Sequence, residues 1–523
     1  MKILVTDPIV SQGITIFREA GFEVLEIPFK NTDAVLAALP GVDAWIIRSG
    51  SKVTAEHLKL AGRLKVIGRA GVGIDNVDLT AATLQGVVVM NTPNGNTISA
   101  AEHTLAMMLA LVRNIPEADA TLKNGGWDRK RFTGNELRGK TLGVVGLGRI
   151  GQKVIKRAQA FEMNILGYDP YVEPERIGLK RVESADLDTL LAKSDIVTLH
   201  VPKNKATENL INAQRLAQMK PGARLINCAR GGLVDEAALA DSLKNGHLAG
   251  AAIDVFVNEP PDDSTLRTAP HAILTPHLGA STVEAGESVA VQVCQQVKDY
   301  LVEKKLANAV NVPIADLSIL KQIESGLNLV KRMGYMLHHL MPGAIRECVL
   351  TYGGEASHTQ PLLLSALQGL LKERHDGELN LINVRSIAEQ QGIDVVTVND
   401  PRMADFTHAI SLHLKGADGT ACELVGYTDQ EGIGRITRLD GFKIDSKPDG
   451  VLLLIENDDI PGVVGRVGTL LGTAQVNISG IALSRDKTRK SALSIVRCDQ
   501  EVREDVLENL RSEAAIRRVI QII

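Results

Sequence analysis

Residues 141–151 read Thr-Leu-Gly-Val-Val-Gly-Leu-Gly-Arg-Ile-Gly, an apolar run that breaks into G-x-G-x-x-G. The run Thr141–Val145 predicts a strand and Arg149–Phe161 a helix, the setting such a loop needs to hold a pyrophosphate. Gly146 permits the tight turn, Gly148 lets backbone approach the phosphates, and Gly151 allows close helix–strand packing. The helix N-terminus adds unpaired N–H groups and roughly half a positive charge. Asp169 closes the next strand, Asn164–Asp169, 18 residues after Gly151. A carboxylate there hydrogen-bonds ribose hydroxyls and repels a 2′-phosphate, which selects NAD over NADP.

Working outward, strands recur about one βα unit apart. Further strands are predicted at Ile196–His200, Ala223–Asn227, Ala251–Val255 and Ile273–Pro276, the rhythm of a doubly wound parallel sheet. The N-terminal stretch repeats the alternation, with strands at Lys2–Asp7, Glu23–Ile27, Ala44–Arg48, Lys65–Arg69 and Val87–Asn91. Helix patterns near 10–20, 31–39, 54–61 and 78–85 separate them, so a second parallel α/β sheet is expected. Ser99–Val112 is a nearly all-apolar helix, expected at a domain junction or subunit interface. In Val283–Leu306 the residues Val289, Val293, Val297 and Leu301 fall at four-residue steps. That helix can carry the chain back to the first domain, ahead of the loop-like Asn308–Pro313.

Past this point helices are expected at Gln360–Glu373 and Leu381–Gln391, and strands at His408–Leu414, Ala421–Tyr427 and Ile433–Leu439. Ser446–Gly450 reads as a linker. The last stretch runs strand, helix, strand, strand, helix, strand, a ferredoxin-like order.

A chain of 523 residues is too long for one core and suggests about three to four domains. With 23% charged and 44% hydrophobic residues it reads as soluble and globular. A net charge of −4 gives no general pull toward nucleic acid or an anionic membrane. The five cysteines are scattered and odd in number, against a disulfide framework or zinc site and in keeping with a reducing cytosol. Neither a signal peptide nor a run of ~18 apolar residues is evident.

Three strand ends then supply chemistry. Oxidising a 2-hydroxy acid needs a base for the hydroxyl proton, a cation for the carboxylate and a group that supports the base. His277 follows the strand Ile273–Thr275, at the sheet end where ligands bind, and imidazole titrates near neutrality. His271 would sit at the opposite end of that strand and is the weaker choice. Arg230 follows Arg224–Asn227 beside Gly231-Gly232, and its fork matches a carboxylate. Glu259 lies just past the strand ending near Val255, where it can orient the ring of His277. Each alone could be a solvated charge; three strand ends delivering the three groups make a site.

The motifs Gly146–Gly151, Asn227–Asp235 (NCARGGLVD), Asp254–Pro260 (DVFVNEP) and Thr275–Thr282 (TPHLGAST) resemble the NAD-dependent D-isomer-specific 2-hydroxyacid dehydrogenases. The resemblance is close to the branch that oxidises 3-phosphoglycerate at the head of L-serine synthesis. It implies Arg230, Glu259 and His277 as catalytic residues. It implies a cofactor lining of Gly146, Gly148, Arg149, Ile150, Gly151, Asp169, Val201, Cys228, Ala229, Arg230, Asp254, His277, Leu278, Gly279 and Ala280. Cys228 is thereby a neighbour of the cofactor and not a nucleophile.

For a phosphorylated substrate, RSGSKVT and GRAGVGIDNVD follow two N-terminal strands, making Arg48, Ser49, Arg69, Gly71 and Gly73 the substrate candidates. Arg129-Lys130-Arg131 could reach substrate as well, in a neighbouring subunit, or be a solvated cluster. Val72 stands where some relatives carry a hydroxyl.

The tail resembles an ACT domain, with Asp459 and Asn477 as candidate serine ligands, and residues 314–445 resemble the intervening domain of the longer dehydrogenases. The implied organisation is a discontinuous substrate-binding domain (1–98 and 285–310), a Rossmann NAD-binding domain (99–284), an α+β intervening domain (311–446) and an ACT domain (450–523). A cytoplasmic homo-oligomer, dimer or tetramer, without metal is expected. The rivals are a glyoxylate or hydroxypyruvate reductase, which the tail argues against, and a non-enzymatic NAD-sensing protein, against which the intact trio counts.

Overall fold

The computed structural model describes residues 1–523 apart from 313, 315–317, 401, 402, 404–407, 487 and 489. Pro313, at the end of the predicted loop, therefore lies outside the described residues. Four sheets build the chain. In the first, Glu23–Glu26, Lys2–Val5, Ala44–Ile47, Val66–Arg69 and Val88–Met90 lie side by side in that order, all parallel. This is the flavodoxin-like arrangement, whose switch point falls between its first and third strands.

The second sheet is also parallel. Its spatial order is Ala272–Leu274, Gly250–Ile253, Arg224–Asn227, Ile196–Leu199, Thr141–Val145, Asn164–Tyr168 and Glu183–Ser184. Chain order reverses beside Thr141–Val145, so the glycine loop opens at the switch point of a Rossmann sheet. The short strand Glu183–Ser184 was not anticipated. Polar side chains start the helices between strands: Asp78, Asp186, Asn212 and Asp235 each accept a hydrogen bond from a first-turn amide. Each such cap is worth about 1 kcal/mol.

The helix Thr97–Val112 packs under the second sheet, with Ala101, Met108 and Val112 in its core. The long helix Val283–Glu303, capped by Thr282, returns to the first sheet. There Val289, Val293, Val297 and Leu301 join Ile3, Phe17, Ile46 and Val88 in one core. Gly68 is small because a Cβ would come 2.7 Å from Val297 Cγ2.

The third sheet is mixed, six strands wide, and backed by the helices Glu324–Leu340 and Ala356–Leu371. Its strands Ile345–Tyr352 and Asp394–Asn399 and the helix Glu324–Leu340 escaped the sequence reading. The fourth sheet, from Val451–Asp458, Ile478–Asp486, Ser491–Cys498 and Ile516–Ile522, is antiparallel. With its two helices it has the βαββαβ order.

The predicted linker Ser446–Gly450 is not free. Ser446 ends the strand Phe442–Ser446, and Arg332 donates to Pro448 O (2.7 Å), Gly450 O (2.7 Å) and Ile523 O (2.9 Å). Leu452, Leu454, Leu493, Ile495 and Ile522 share the core of the third sheet's helices, so the two C-terminal units are joined through an apolar face.

Candidate active site

The glycine loop is built as its spacing requires. Gly146 has φ +100°, and a Cβ there would lie 2.6 Å from His200 O and 2.9 Å from Val201 Cγ1. A Cβ on Gly151 would lie 2.1 Å from Gly146 O, whereas Gly148 faces open space. The helix Arg149–Ala160 starts without a side-chain cap, so its first amides remain for an anion. Arg149 is exposed at that end, and half-buried Ile150 packs into the core behind it. Asp169 Oδ2 accepts from Leu147 N (2.9 Å) and Oδ1 from Tyr171 N (2.9 Å). The carboxylate thus fixes the loop while keeping lone pairs for a ribose. These residues fit a bound dinucleotide.

At the far strand ends, His277 Nδ1 and Glu259 Oε2 are 2.8 Å apart. Glu259 Oε1 also accepts from Phe256 N (3.2 Å). Burial alone would raise the Glu259 carboxyl, but the hydrogen bond and charge of His277 outweigh it and hold it below the ordinary value. His277 occupies the left-handed region at φ +56°, and Asp254 maintains that turn. Fully buried, Asp254 accepts from Thr275 Oγ1 (2.6 Å), Leu278 N (2.7 Å) and Gly279 N (2.8 Å), with His103 Nε2 at 3.2 Å. Burial pushes its carboxyl up, and the bonds from His103, Thr275 and Leu278 more than reverse that. Its oxygens are committed to the protein, so Asp254 serves the cofactor face by shaping residues 277–280.

Arg230 donates through Nη1 to Ala229 O (2.6 Å) and through Nε to Asp75 Oδ2 (3.2 Å). Asn227 locks this turn, accepting from Ala229 N (3.1 Å) and donating to Arg230 O (2.9 Å). Both Nη2 hydrogens and the second Nη1 hydrogen are left among the described residues, so the fork is partly engaged before any substrate binds. Cys228 is buried and its thiol is pushed up to about 12, by burial first and the charge of Asp254 next, which removes it as a nucleophile.

One cleft of about 570 Å³ gathers both domains' groups: Arg48, Ser49, Arg69, Gly71 and Gly73 from the first, Arg230, Glu259, His277 and Ala280 from the second. Arg48 N and Ser51 N both donate to Asp7 Oδ2 (2.5 and 3.1 Å), which shapes the loop after the third strand of the first sheet. Arg69 is lowered to about 10 by burial, then by the charges of Arg230 and Arg48, against Asp75 and Asp7. Its buried Nε has no hydrogen-bond partner among the described residues. Its side chain lies over Gly71, where a Cβ would be 1.7 Å from Nη1. Arginines crowded this way, with an unmet donor, suit an anion.

Lys203, Asp75 and Asn96 also line the cleft and were missed in the sequence. The V-P-K step after the strand Ile196–Leu199 was the available signal for Lys203. His271 sits at the opposite end of its strand, 4.0 Å from Glu117, away from the cleft. Arg129-Lys130-Arg131 is exposed and does not line the cleft, Arg131 reaching Glu117 at 3.7 Å. Asp459 pairs with Arg485 (2.8 Å), while Asn477 donates to Asp499 (2.5 Å). They stand at opposite ends of the fourth sheet: Asp458 pairs with Ser491, and Ile478 with Cys498. One chain does not bring the two together.

Three family descriptions match in sequence. The D-isomer specific 2-hydroxyacid dehydrogenase NAD binding domain covers 105–279, the D-3-phosphoglycerate dehydrogenase intervening domain 322–440, and the ACT domain 451–515. A D-3-phosphoglycerate dehydrogenase from Synechocystis is 40% identical over 99% of this chain and 93% of its own length. One from Methanocaldococcus jannaschii is 39% identical over 99% of each. Among solved structures, the NAD-dependent formate dehydrogenase of Staphylococcus aureus in complex with NAD is 30% identical, with a TM-score of 0.55 over 60% of this chain and 100% of that one. A glyoxylate reductase from Paecilomyes thermophila matches 59% of this chain and 98% of its own at 28% identity and a TM-score of 0.55. The chain belongs to the D-3-phosphoglycerate dehydrogenases, NAD-dependent oxidoreductases of the D-isomer-specific 2-hydroxyacid dehydrogenase family.

Proposed function

We propose that this chain oxidises 3-phospho-D-glycerate to 3-phosphohydroxypyruvate with NAD, the step that opens L-serine synthesis. The observation that carries it is the His277–Glu259 pair facing the same cleft as Arg48, Arg69 and Arg230. With Glu259 ionised, Nδ1 of His277 bears the hydrogen, leaving Nε2 as the base. Nε2 takes the C2 hydroxyl proton, and the imidazolium that forms is stabilised by Glu259. Arg230 holds the carboxylate and polarises the C2 oxygen, while Arg48 and Arg69 take the phosphate. NAD bound at Gly146–Gly151 and Asp169 supplies the hydride acceptor. The two sheets enclose the cleft and exclude water when they close.

The division we propose follows the packing: 1–98 with 285–310, 99–284, 311–446 and 450–523. The glyoxylate reductase neighbour covers 59% of this chain, against 99% for the D-3-phosphoglycerate dehydrogenases, which disfavours that activity.

Effector control by L-serine follows if two ACT units pair, so that Asp459 of one unit meets Asn477 of the next. A cytoplasmic dimer or tetramer is the assembly this requires. No described helix is long and apolar enough to cross a membrane.

The test is steady-state NADH formation on 3-phospho-D-glycerate, D-glycerate and D-lactate. Losing the phosphate leaves Arg69 unpaired, so kcat/KM should fall roughly 100-fold or more. Equal rates on all three acids contradict the substrate assignment. Serine titration of the wild type and Asn477→Ala, with mass by light scattering, tests the effector. A wild type indifferent to serine leaves the ACT unit as a pairing module only.

A further inference from the structure

Arg230 stands on the second sheet and Asp75 on a loop of the first, yet Arg230 Nε and Asp75 Oδ2 are 3.2 Å apart across the cleft. Asp75 and Glu259 are the two carboxylates among the residues lining the cleft, and Glu259 is taken by His277. Asp75 is therefore the lining carboxylate left to Arg230, while Asp7 sits behind the Arg48 loop. The guanidinium of Arg230 is fixed at two points, Nε by Asp75 and Nη1 by Ala229 O, so its plane is set. Gly73 is part of the same device: a Cβ there would come 2.3 Å from Arg230 Nη2 and 3.0 Å from Asp75 Oδ2. As a stabilising contact the pair counts for little, since the Asp75 side chain is 64% exposed and water screens such pairs.

We propose that Asp75 is a positioning residue, holding the guanidinium of Arg230 from the opposite domain so that Nη2 is presented to the substrate carboxylate. Because Asp75 moves with the first sheet and Arg230 with the second, the carboxylate-binding group is completed only when the domains approach. The proposal rests on Arg230 as the carboxylate ligand.

Steady-state kinetics of Asp75→Ala, Asp75→Asn, Arg230→Lys and the Asp75→Ala/Arg230→Lys double variant test it. Asp75→Ala should lower kcat roughly 10-fold with KM within about 3-fold, because attraction for the anion persists while its orientation is lost. Its thermal midpoint should stay at the wild-type value. Asp75→Asn keeps an oxygen to accept from Nε and should recover most of kcat. In the Arg230→Lys background, which has no Nε to orient, Asp75→Ala should cost nothing further. An unchanged kcat in Asp75→Ala, or the same loss in both backgrounds, overturns the proposal alone. A wild-type kcat in Arg230→Lys overturns the carboxylate assignment and the proposal with it.

Discussion

At His277 the chain turns through the left-handed region, and that turn aims Nδ1 at Glu259 in the cleft that both residues line. The Glu259 carboxyl, lowered by His277 against the upward push of burial, has a stated pH consequence. A lowered carboxyl contributes stability above its unfolded value and loses it as pH falls through the folded one. In denaturant unfolding, the stability that wild type holds over Glu259→Gln should therefore be present at pH 5. The gap should then shrink below the ordinary glutamate value, about 4.3. A gap that keeps widening below that value would contradict the pairing. Cys228 gives a second check, because a buried thiol pushed up to about 12 should resist alkylation at pH 8 in the folded protein and react once unfolded. The trio and the arginines were legible because strand ends mark where ligands bind. Asp75, Lys203 and His103 were not. A charged loop residue looks the same in sequence whether it meets solvent or a partner across the cleft, and Asp75 and Arg230 are 155 positions apart.

The glycine loop separates two jobs that its sequence pattern merges. Gly151 packs on Gly146 O, so Gly151→Ala forces backbone apart and should lower the apo thermal midpoint. Gly148 faces open space at φ −69°, a conformation alanine adopts freely. Gly148→Ala should leave that midpoint unchanged yet weaken NAD binding by about 10-fold or more, as titration calorimetry would show. Equal effects of both on folding would remove the phosphate-facing role of Gly148. The βα rhythm of the first two sheets was readable because fully buried parallel strands are short apolar runs, such as Ala44–Ile47 and Thr141–Val145. Asp394–Asn399 is an exposed edge strand, with no face for periodicity to reveal.

Across the whole molecule, the C-terminal units are less separable than their motifs suggested. Leu452, Leu454, Leu493, Ile495 and Ile522 lie against the intervening helices, and Arg332 ties down the chain between the units and its end. A chain ending at 446 would uncover the apolar ground these residues occupy and should bind a hydrophobic dye and aggregate; one that stays free of aggregates and dye would show the units to be independent. Composition at Ser446–Gly450 suggested a linker, because carbonyls that bind a distant arginine leave no trace in sequence. Likewise, Asp459 and Asn477 flank one helix in sequence but stand at opposite ends of their sheet, a separation that only strand register reveals. The proposed reaction needs a base and an anion site acting on one substrate. The most direct measurement is kcat for NADH formation from 3-phospho-D-glycerate by wild type and His277→Ala at saturating NAD. The expected result is a loss of roughly 100- to 10,000-fold with NAD affinity retained. A variant that turns over at the wild-type rate would contradict His277 as the base.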